Sequence, residues 1–201
     1  MIKNIIFDVG NVLVDFNWEK QFHELGFEGE TYQAVAKATV LSDTWNEYDR
    51  GALSDDEILS RFLKAAPGYE KEIMKLWDNI GTSIHQFDYS LNWIKSLKSA
   101  GYHIYILSNY SKRTYEKTRE ELSFELFTDG AIFSFMVKEV KPEAKIYHLL
   151  LEKYNLLPDE CVFLDDRKEN LKIPEALGIC TICFTTKEHA VEEMHKIGIN
   201  I

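Results

Sequence analysis

A single carboxylate follows an apolar run near the start of the chain. Ile5, Ile6 and Phe7 are consecutive β-branched and aromatic residues, which is typical of a strand buried on both faces. Asp8 comes where this strand should end, and ligands bind at the carboxyl ends of strands in open α/β sheets. Gly10 lets the backbone turn away and leaves its amide and carbonyl open to a ligand. Asp8 is therefore a candidate functional carboxylate, although it could also simply cap the loop.

Other strand-like runs lead into polar groups in the same way. These groups, in chain order, are Ser108 with Asn109, Lys141, and the adjacent pair Asp165 and Asp166. Each is unremarkable alone, but the ordered set predicts one site at one edge of one sheet. Carboxylates that face one point repel each other unless a cation joins them. Mg²⁺ suits such oxygen ligands.

With these motifs in this order, the chain resembles the haloacid dehalogenase (HAD) superfamily of hydrolases along essentially its whole length. It is most similar to small bacterial sugar-phosphate phosphatases of the glucose-1-phosphatase-like type, whose first motif also reads aspartate, apolar, glycine, asparagine, apolar. The resemblance implies an α/β fold, with a Rossmann-like three-layer parallel sheet and an inserted α-helical bundle cap. It also implies that Asp8 is a nucleophile, which forms an aspartyl-phosphate that water then hydrolyses.

The resemblance assigns roles to the other motif residues. For the metal, it implies Asp166 as a direct ligand beside Asp8, the Gly10 carbonyl as another, and Asp165 as a support or a ligand through water. Asn170 would hold neighbouring groups in place. Ser108 and Lys141 would hold the transferring phosphoryl oxygens. Asn109 would contact the loop backbone or the substrate.

Position 10 departs from the family pattern. Many phosphatases of the family carry a second aspartate two residues after the nucleophile as general acid and base, and Gly10 cannot donate a proton. General acid catalysis contributes about 10²–10⁴ in rate, so its absence matters most for a poor leaving group. Asp15 is a possible substitute, although an ordinary polar loop residue is the simpler interpretation.

Two other functions stay open. A metal-independent 2-haloacid dehalogenase would also use an aspartate nucleophile, but the pair Asp165 and Asp166 fits it poorly. A phosphate- or metal-binding protein without turnover is the second alternative, and Gly10 is the one argument for it.

The helices and strands that position these residues can be predicted from the hydrophobic periodicity of the sequence. Strand-like runs alternate with amphipathic helices after residue 88, which favours a parallel three-layer sheet. The predicted strands cover residues 103–107, 131–133, 161–164 and 179–184, and the predicted helices cover residues 112–122, 143–154, 170–177 and 187–197. Pro142 is expected in the first turn of its helix. The predicted core comprises residues 1–16 and 84–201.

Residues 17–83 are predicted to form a separate helical cap, with no convincing strand between residues 19 and 83. Ser54 and Glu57 have capping-box spacing before a helix that ends near Gly68. Trp45 and Arg50 precede Gly51 in a stretch that resembles a loop, so they are candidate contacts to a sugar ring and its hydroxyls. Alternatively, the tryptophan packs in the bundle and Arg50 is solvated.

The composition of the chain limits the kinds of molecule that it is expected to bind. The formal net charge of −10 argues against a general nucleic-acid binder, while 45% hydrophobic and 28% charged residues are ordinary for a soluble enzyme. The three cysteines favour a reducing compartment, and Cys180 and Cys183 should point to opposite faces of a strand. No signal peptide or long apolar span is visible, so a cytoplasmic protein away from membranes is expected. The expected partner is a small phosphorylated metabolite, and the chain could be a monomer or a weak homodimer.

Overall fold

The computed structural model describes residues 1–200. Its seven strands, in chain order, are β1 (Asn4–Phe7), β2 (Val14–Phe16), β3 (Ile84–Gln86), β4 (His103–Ser108), β5 (Gly130–Phe133), β6 (Cys161–Asp165) and β7 (Cys180–Cys183). Five of them form a parallel sheet in the order β5-β4-β1-β6-β7, and β2 pairs with β3 in a separate antiparallel ribbon. The predicted parallel α/β sheet is confirmed.

Helices connect the strands and cover the sheet. In chain order they are α1 (Trp18–Glu24), α2 (Gly29–Ala38), α3 (Asp43–Arg50), α4 (Asp55–Ala65), α5 (Glu70–Asp78), α6 (Ser90–Ser99), α7 (Lys112–Lys117), α8 (Ser134–Val137), α9 (Ala144–Tyr154), α10 (Lys168–Ala176) and α11 (Lys187–Lys196). None of these helices, within residues 1–200, has the length and apolar character needed to cross a membrane.

Strand β1 lies at the centre of the sheet, and both of its faces are covered. Ile5 and Phe7 belong to a hydrophobic cluster that includes Trp93 of α6, and Ile6 belongs to a second cluster that includes Tyr147 of α9. All four residues of the strand are buried. The continuous apolar run therefore marks a central strand between two helical layers, which places Asp8 in the middle of the carboxyl edge.

The five helices α1–α5 pack around a hydrophobic cluster of their own. The cluster includes Phe22, Phe62 and Trp77, and the rings of Phe62 and Trp77 make an edge-to-face contact. The capping box at Ser54 and Glu57 is present and begins α4. The division of the chain into a core and a cap at residues 16/17 and 83/84 stays a prediction about its domains.

Three local features differ from the sequence-based expectations. The short strand β3 was not predicted, because three residues carry too little periodicity to identify a strand. Helix α7 ends at Lys117, five residues before its predicted end. Pro142 does not lie in the first turn of α9, because Glu143 is the N-cap and Pro142 comes before it. By contrast, Cys180 and Cys183 do pack against opposite faces of the sheet, and both are free thiols.

Candidate active site

Three strands bring the predicted residues to one edge of the sheet. Asp8 follows β1, Ser108 ends β4, and Asp165 ends β6. Phe7 pairs in register with Ile106 on one side and Leu164 on the other, so the residues after it lie at the same level of the sheet. The backbone amide of Asp8 donates to the carbonyl of Leu164 at 2.9 Å. The parallel register therefore places these side chains together, as the sequence predicts.

Lys141 lies among the carboxylates. Its Nζ is 2.9 Å from Asp8 Oδ1 and 2.6 Å from Asp165 Oδ2, and the side chain is buried. Asn109 fixes the backbone of Lys141 from both sides, since its Oδ1 accepts from the Lys141 amide at 2.8 Å and its Nδ2 donates to the Lys141 carbonyl at 2.9 Å. The motifs at 108–109 and 141 are therefore in direct contact, and Asn109 holds the backbone of the lysine.

Asp165 is fully buried, and its two oxygens already have protein donors. Asn170 Nδ2 donates to both of them at 3.0 and 3.1 Å, and the Arg167 amide donates to Oδ1 at 2.9 Å. Asp8 is less fully bonded: its Oδ1 accepts from the Val9 amide at 2.7 Å, whereas its Oδ2 accepts no hydrogen bond from residues 1–200. This contrast fits a supporting role for Asp165 and a reacting role for Asp8 Oδ2.

The donor set fits a hard divalent cation. One oxygen from each of Asp8, Asp165 and Asp166 lies within 4.8 Å of the others. Asn170 Oδ1 is buried and has no hydrogen-bond partner among residues 1–200, so it offers a further oxygen in the same region. Three carboxylates and one ammonium leave a net charge of −2 when all are ionised, and a cation would offset that charge.

The pKa shifts in the cluster result from burial and from the short distances between its charged groups. Burial raises the pKa of Asp8, Lys141 opposes the rise, and the neighbouring Asp165 and Asp166 add to it. Burial raises the pKa of Asp166 as well, against the effect of its hydrogen bond from Asn11. Burial by itself would lower the pKa of Lys141, but the attraction of Asp8 and Asp165 outweighs it, so the net shift is upward. The ammonium therefore stays protonated and holds the carboxylates together.

A cavity of about 460 Å³ adjoins these groups, which is within the range of small-molecule sites. Ser108, Asn109, Lys141 and Gly10 line its inner part. The Ser108 side chain is buried and makes no hydrogen bond within residues 1–200, so it is free to donate to a ligand. The cavity thus offers a hydroxyl and an ammonium beside the uncommitted oxygen of Asp8.

Trp45 and Arg50 lie on helix α3 rather than in the predicted loop, and only one of these two predicted contacts lines the cavity. Trp45 lines the cavity and packs against Phe16 and Phe62. Arg50 does not line it, because its guanidinium bonds Glu143 of the core at 2.6 and 2.9 Å and Glu47 at 3.2 Å. Arg50 therefore joins α3 to the N-cap residue of α9, and its expected place beside a substrate is corrected accordingly.

Two further residues, Asn11 and Asp49, belong to the site but were not predicted from the sequence. Asn11 has a left-handed backbone (φ +56°), and its Nδ2 donates to Asp166 Oδ2 at 3.0 Å. Asp49, on α3, lines the cavity, and its pKa is raised to about 7 by burial and by the charge of Asp8, against the effect of Arg167 and Lys141. Asn11 had a signal, since it directly follows Gly10 in the first motif. The only sequence signal for Asp49 was its position beside Arg50 and Gly51.

Asp15, the suggested substitute for the missing general acid, lies elsewhere. It pairs with His85 in the β2–β3 ribbon and is not among the residues that line the cavity. The structure therefore gives no support to Asp15 as a proton donor at this site.

Comparison with known proteins agrees with this geometry. The family model for haloacid dehalogenase-like hydrolases matches residues 2–178. The chain is 29% identical to a D-ribitol-5-phosphate phosphatase from Bacteroides thetaiotaomicron over 196 residues, which span 90% of this chain and 91% of that protein.

Solved structures share the fold. A HAD family enzyme from Bacteroides thetaiotaomicron, in complex with magnesium and inorganic phosphate, superposes with a TM-score of 0.73 at 21% identity, covering 94% of this chain and 99% of that one. The L-2-haloacid dehalogenase from Xanthobacter autotrophicus superposes with a TM-score of 0.66 at 17% identity, covering 100% and 85%. Together with the family match over residues 2–178, the fold and the motifs show that this chain belongs to the haloacid dehalogenase-like hydrolases.

Proposed function

We propose that this hydrolase cleaves phosphomonoesters of small molecules, with sugar phosphates as the favoured class, through an aspartyl-phosphate on Asp8. The observation that carries the proposal is the convergence of Asp8, Lys141 and Asp166 on one cavity, with the buried Asp165 bonded to Lys141 behind them. The resemblance to a D-ribitol-5-phosphate phosphatase supports the substrate class.

The side chains have complementary tasks in this proposal. Asp8 Oδ2 attacks phosphorus and the bond to the leaving oxygen breaks, after which water releases inorganic phosphate and restores the carboxylate. Ser108 and Lys141 hold the phosphoryl oxygens, where their hydrogen bonds and charge stabilise the transition state. Asn109 and Asn170 position Lys141 and Asp165 through the hydrogen bonds described above.

Mg²⁺ is the cation that we assign to this site. Asp8, Asp166 and the Gly10 carbonyl would hold it directly, and Asp165 would support it, because both Asp165 oxygens already accept protein donors. When bound, Mg²⁺ supplies positive charge that offsets the carboxylates and the phosphoryl group. The magnesium complex of the structural neighbour supports the choice of metal.

The cavity volume supports a small soluble phosphate as the partner, and the net charge of −10 argues against nucleic acid. A cytoplasmic location stays a prediction, and so does the choice between a monomer and a weak homodimer.

The test is phosphate release from a panel of sugar phosphates, acyl phosphates and nucleotides, with Mg²⁺ and with chelator, for wild type and Asp8→Asn. We expect release that needs both Mg²⁺ and Asp8. Halide release from 2-haloacids in the presence of chelator would favour the dehalogenase instead. Binding of inorganic phosphate or Mg²⁺ without any Asp8-dependent hydrolysis would favour a binding protein.

A further inference from the structure

Asp49 is a cavity carboxylate without a protein partner. It lines the cavity next to Asp8, yet its side chain makes no hydrogen bond or ion pair within residues 1–200. The other inner carboxylates are bonded, since Asp8 contacts Lys141 and Asp166 accepts from Asn11. A carboxylate that is left free beside a reacting group can exchange a proton with a ligand.

The core, rather than the cap alone, fixes the backbone of Asp49. Its carbonyl accepts from Ser134 Oγ at 2.6 Å, and the same hydroxyl oxygen accepts from the Tyr110 amide at 2.8 Å. Tyr110 follows Ser108 and Asn109 directly in the chain. One serine hydroxyl thus connects the backbone of Asp49 to the loop that follows Ser108, which holds the Asp49 backbone at a defined place beside the cavity.

The turn after Asp49 packs tightly against the residue Phe135 of α8. Gly51 has a left-handed φ of +67°, and a Cβ at this position would come within 2.9 Å of the Phe135 Cβ. Tyr48, on the other side, places its hydroxyl 3.3 Å from Thr114 Oγ1 of α7. The residues on both sides of Asp49 in the sequence therefore contact the helices α7 and α8. The position of Asp49 follows from this packing of α3.

We infer that Asp49 is the general acid and base of the reaction, supplied by the cap in place of the aspartate that position 10 lacks. The inference rests on the proposed function and names the proton donor for it. It requires that the leaving group of the substrate lie between Asp8 and the end of α3.

The proton balance of the cycle is complete. In the first step, Asp49 donates its proton to the departing alcohol oxygen as Asp8 Oδ2 bonds phosphorus and the ester P–O bond breaks. In the second step, the Asp49 carboxylate accepts a proton from water as the water oxygen bonds phosphorus and the bond between phosphorus and Asp8 breaks. Asp49 is then protonated again, and Asp8 is a carboxylate.

The electrostatics of Asp49 suit both steps. Burial and the charge of Asp8 raise its pKa to about 7, whereas Arg167 and Lys141 act in the opposite direction. A group that titrates near neutral pH can be protonated before the first step and ionised before the second. On its own helix, the neighbouring Glu47 and Arg50 bond each other, so their charges are largely paired.

The experiment compares two leaving groups in wild type and Asp49→Asn. An alkyl phosphate, such as a sugar phosphate hydrolysed by wild type, needs a proton on its leaving oxygen, whereas p-nitrophenyl phosphate does not. For Asp49→Asn we expect kcat on the alkyl phosphate to fall by about 10²–10³-fold with little change in KM. With p-nitrophenyl phosphate we expect a fast burst of about one equivalent of p-nitrophenol, followed by slow turnover, because only the second step then lacks its base.

The matched control is Asp56→Asn, which removes the same charge from an exposed position in the first turn of α4. It should behave as wild type with both substrates. If Asp49→Asn slows the first turnover of both substrates equally, or retains wild-type kcat on the alkyl phosphate, the inference is overturned. If wild type itself shows no Asp8-dependent hydrolysis, the proposed function fails instead, so the two failures are distinguishable.

Discussion

The ammonium nitrogen of Lys141 lies 2.9 Å from Asp8 Oδ1 and only 2.6 Å from Asp165 Oδ2. This one buried lysine is therefore shared by the nucleophile candidate and by the carboxylate that Asn170 and the Arg167 amide hold in place. The lysine connects the ends of β1 and β6, so it contributes to the structure of the site as well as to its charge.

Removing that charge should destabilise the fold. In Lys141→Met the buried carboxylates of Asp8 and Asp165 lose their counter-charge, so we expect the free energy of unfolding to fall by about 3–5 kcal/mol in chelator. Added Mg²⁺ should restore part of the loss, because a cation can replace the ammonium. Urea unfolding with chelator and with Mg²⁺ measures both effects. The exposed Lys37→Met serves as the control and should change stability by less than about 0.5 kcal/mol. Equal stability of Lys141→Met and wild type would contradict the account.

Asn11 should tune metal affinity through Asp166. Its amide donates to Asp166 Oδ2 at 3.0 Å from a left-handed backbone (φ +56°), a conformation that glycine adopts without strain. Asn11→Gly therefore removes the side chain while keeping the turn. We expect the dissociation constant for Mg²⁺ to rise by about tenfold, as is usual when a hydrogen bond to a ligand is lost. Calorimetric titration with Mg²⁺ measures the change, and an unchanged constant would show that Asn11 does not orient Asp166.

Two glycines separate the effect of backbone strain from that of a clash. Gly51 and Gly26 both have left-handed φ values, +67° and +78°, but only Gly51 has core atoms where a Cβ would be placed. Alanine at Gly26 should cost about 1–2 kcal/mol from the backbone alone. Alanine at Gly51 should cost more and also reduce kcat/KM, because Phe135 would push the end of α3 away from the core. Thermal unfolding and steady-state kinetics of Gly26→Ala and Gly51→Ala measure these effects. Equal losses of stability and of kcat/KM in the two variants would mean that the packing of α3 against Phe135 is unimportant.

The core of the site could be predicted from the sequence because it depends on strand ends. Asp8, Ser108 and Asp165 each follow an apolar run, and a parallel sheet places all such ends at one edge. Lys141 could be included because of its order in the motif set.

The residues of α3 were less predictable because no strand register positions them. Arg50 and Asp49 are adjacent on α3, yet Arg50 bonds Glu143 of the core while Asp49 lines the cavity. Which of the two reaches the site depends on how α3 packs against α8 and the core, a long-range contact without a local sequence signal. Trp45, about one turn earlier on α3, does line the cavity and also packs against Phe62 of α4, so both interpretations of it apply.

The most direct test of the central claim is the mass of the peptide that contains Asp8 after rapid acid quench during turnover of a phosphomonoester with Mg²⁺. The account predicts one added phosphoryl group on Asp8 in wild type, none when chelator replaces Mg²⁺, and neither label nor phosphate release in Asp8→Asn. The account would be contradicted if Asp8→Asn released phosphate at the wild-type rate and the Asp8 peptide of the wild type carried no phosphoryl group.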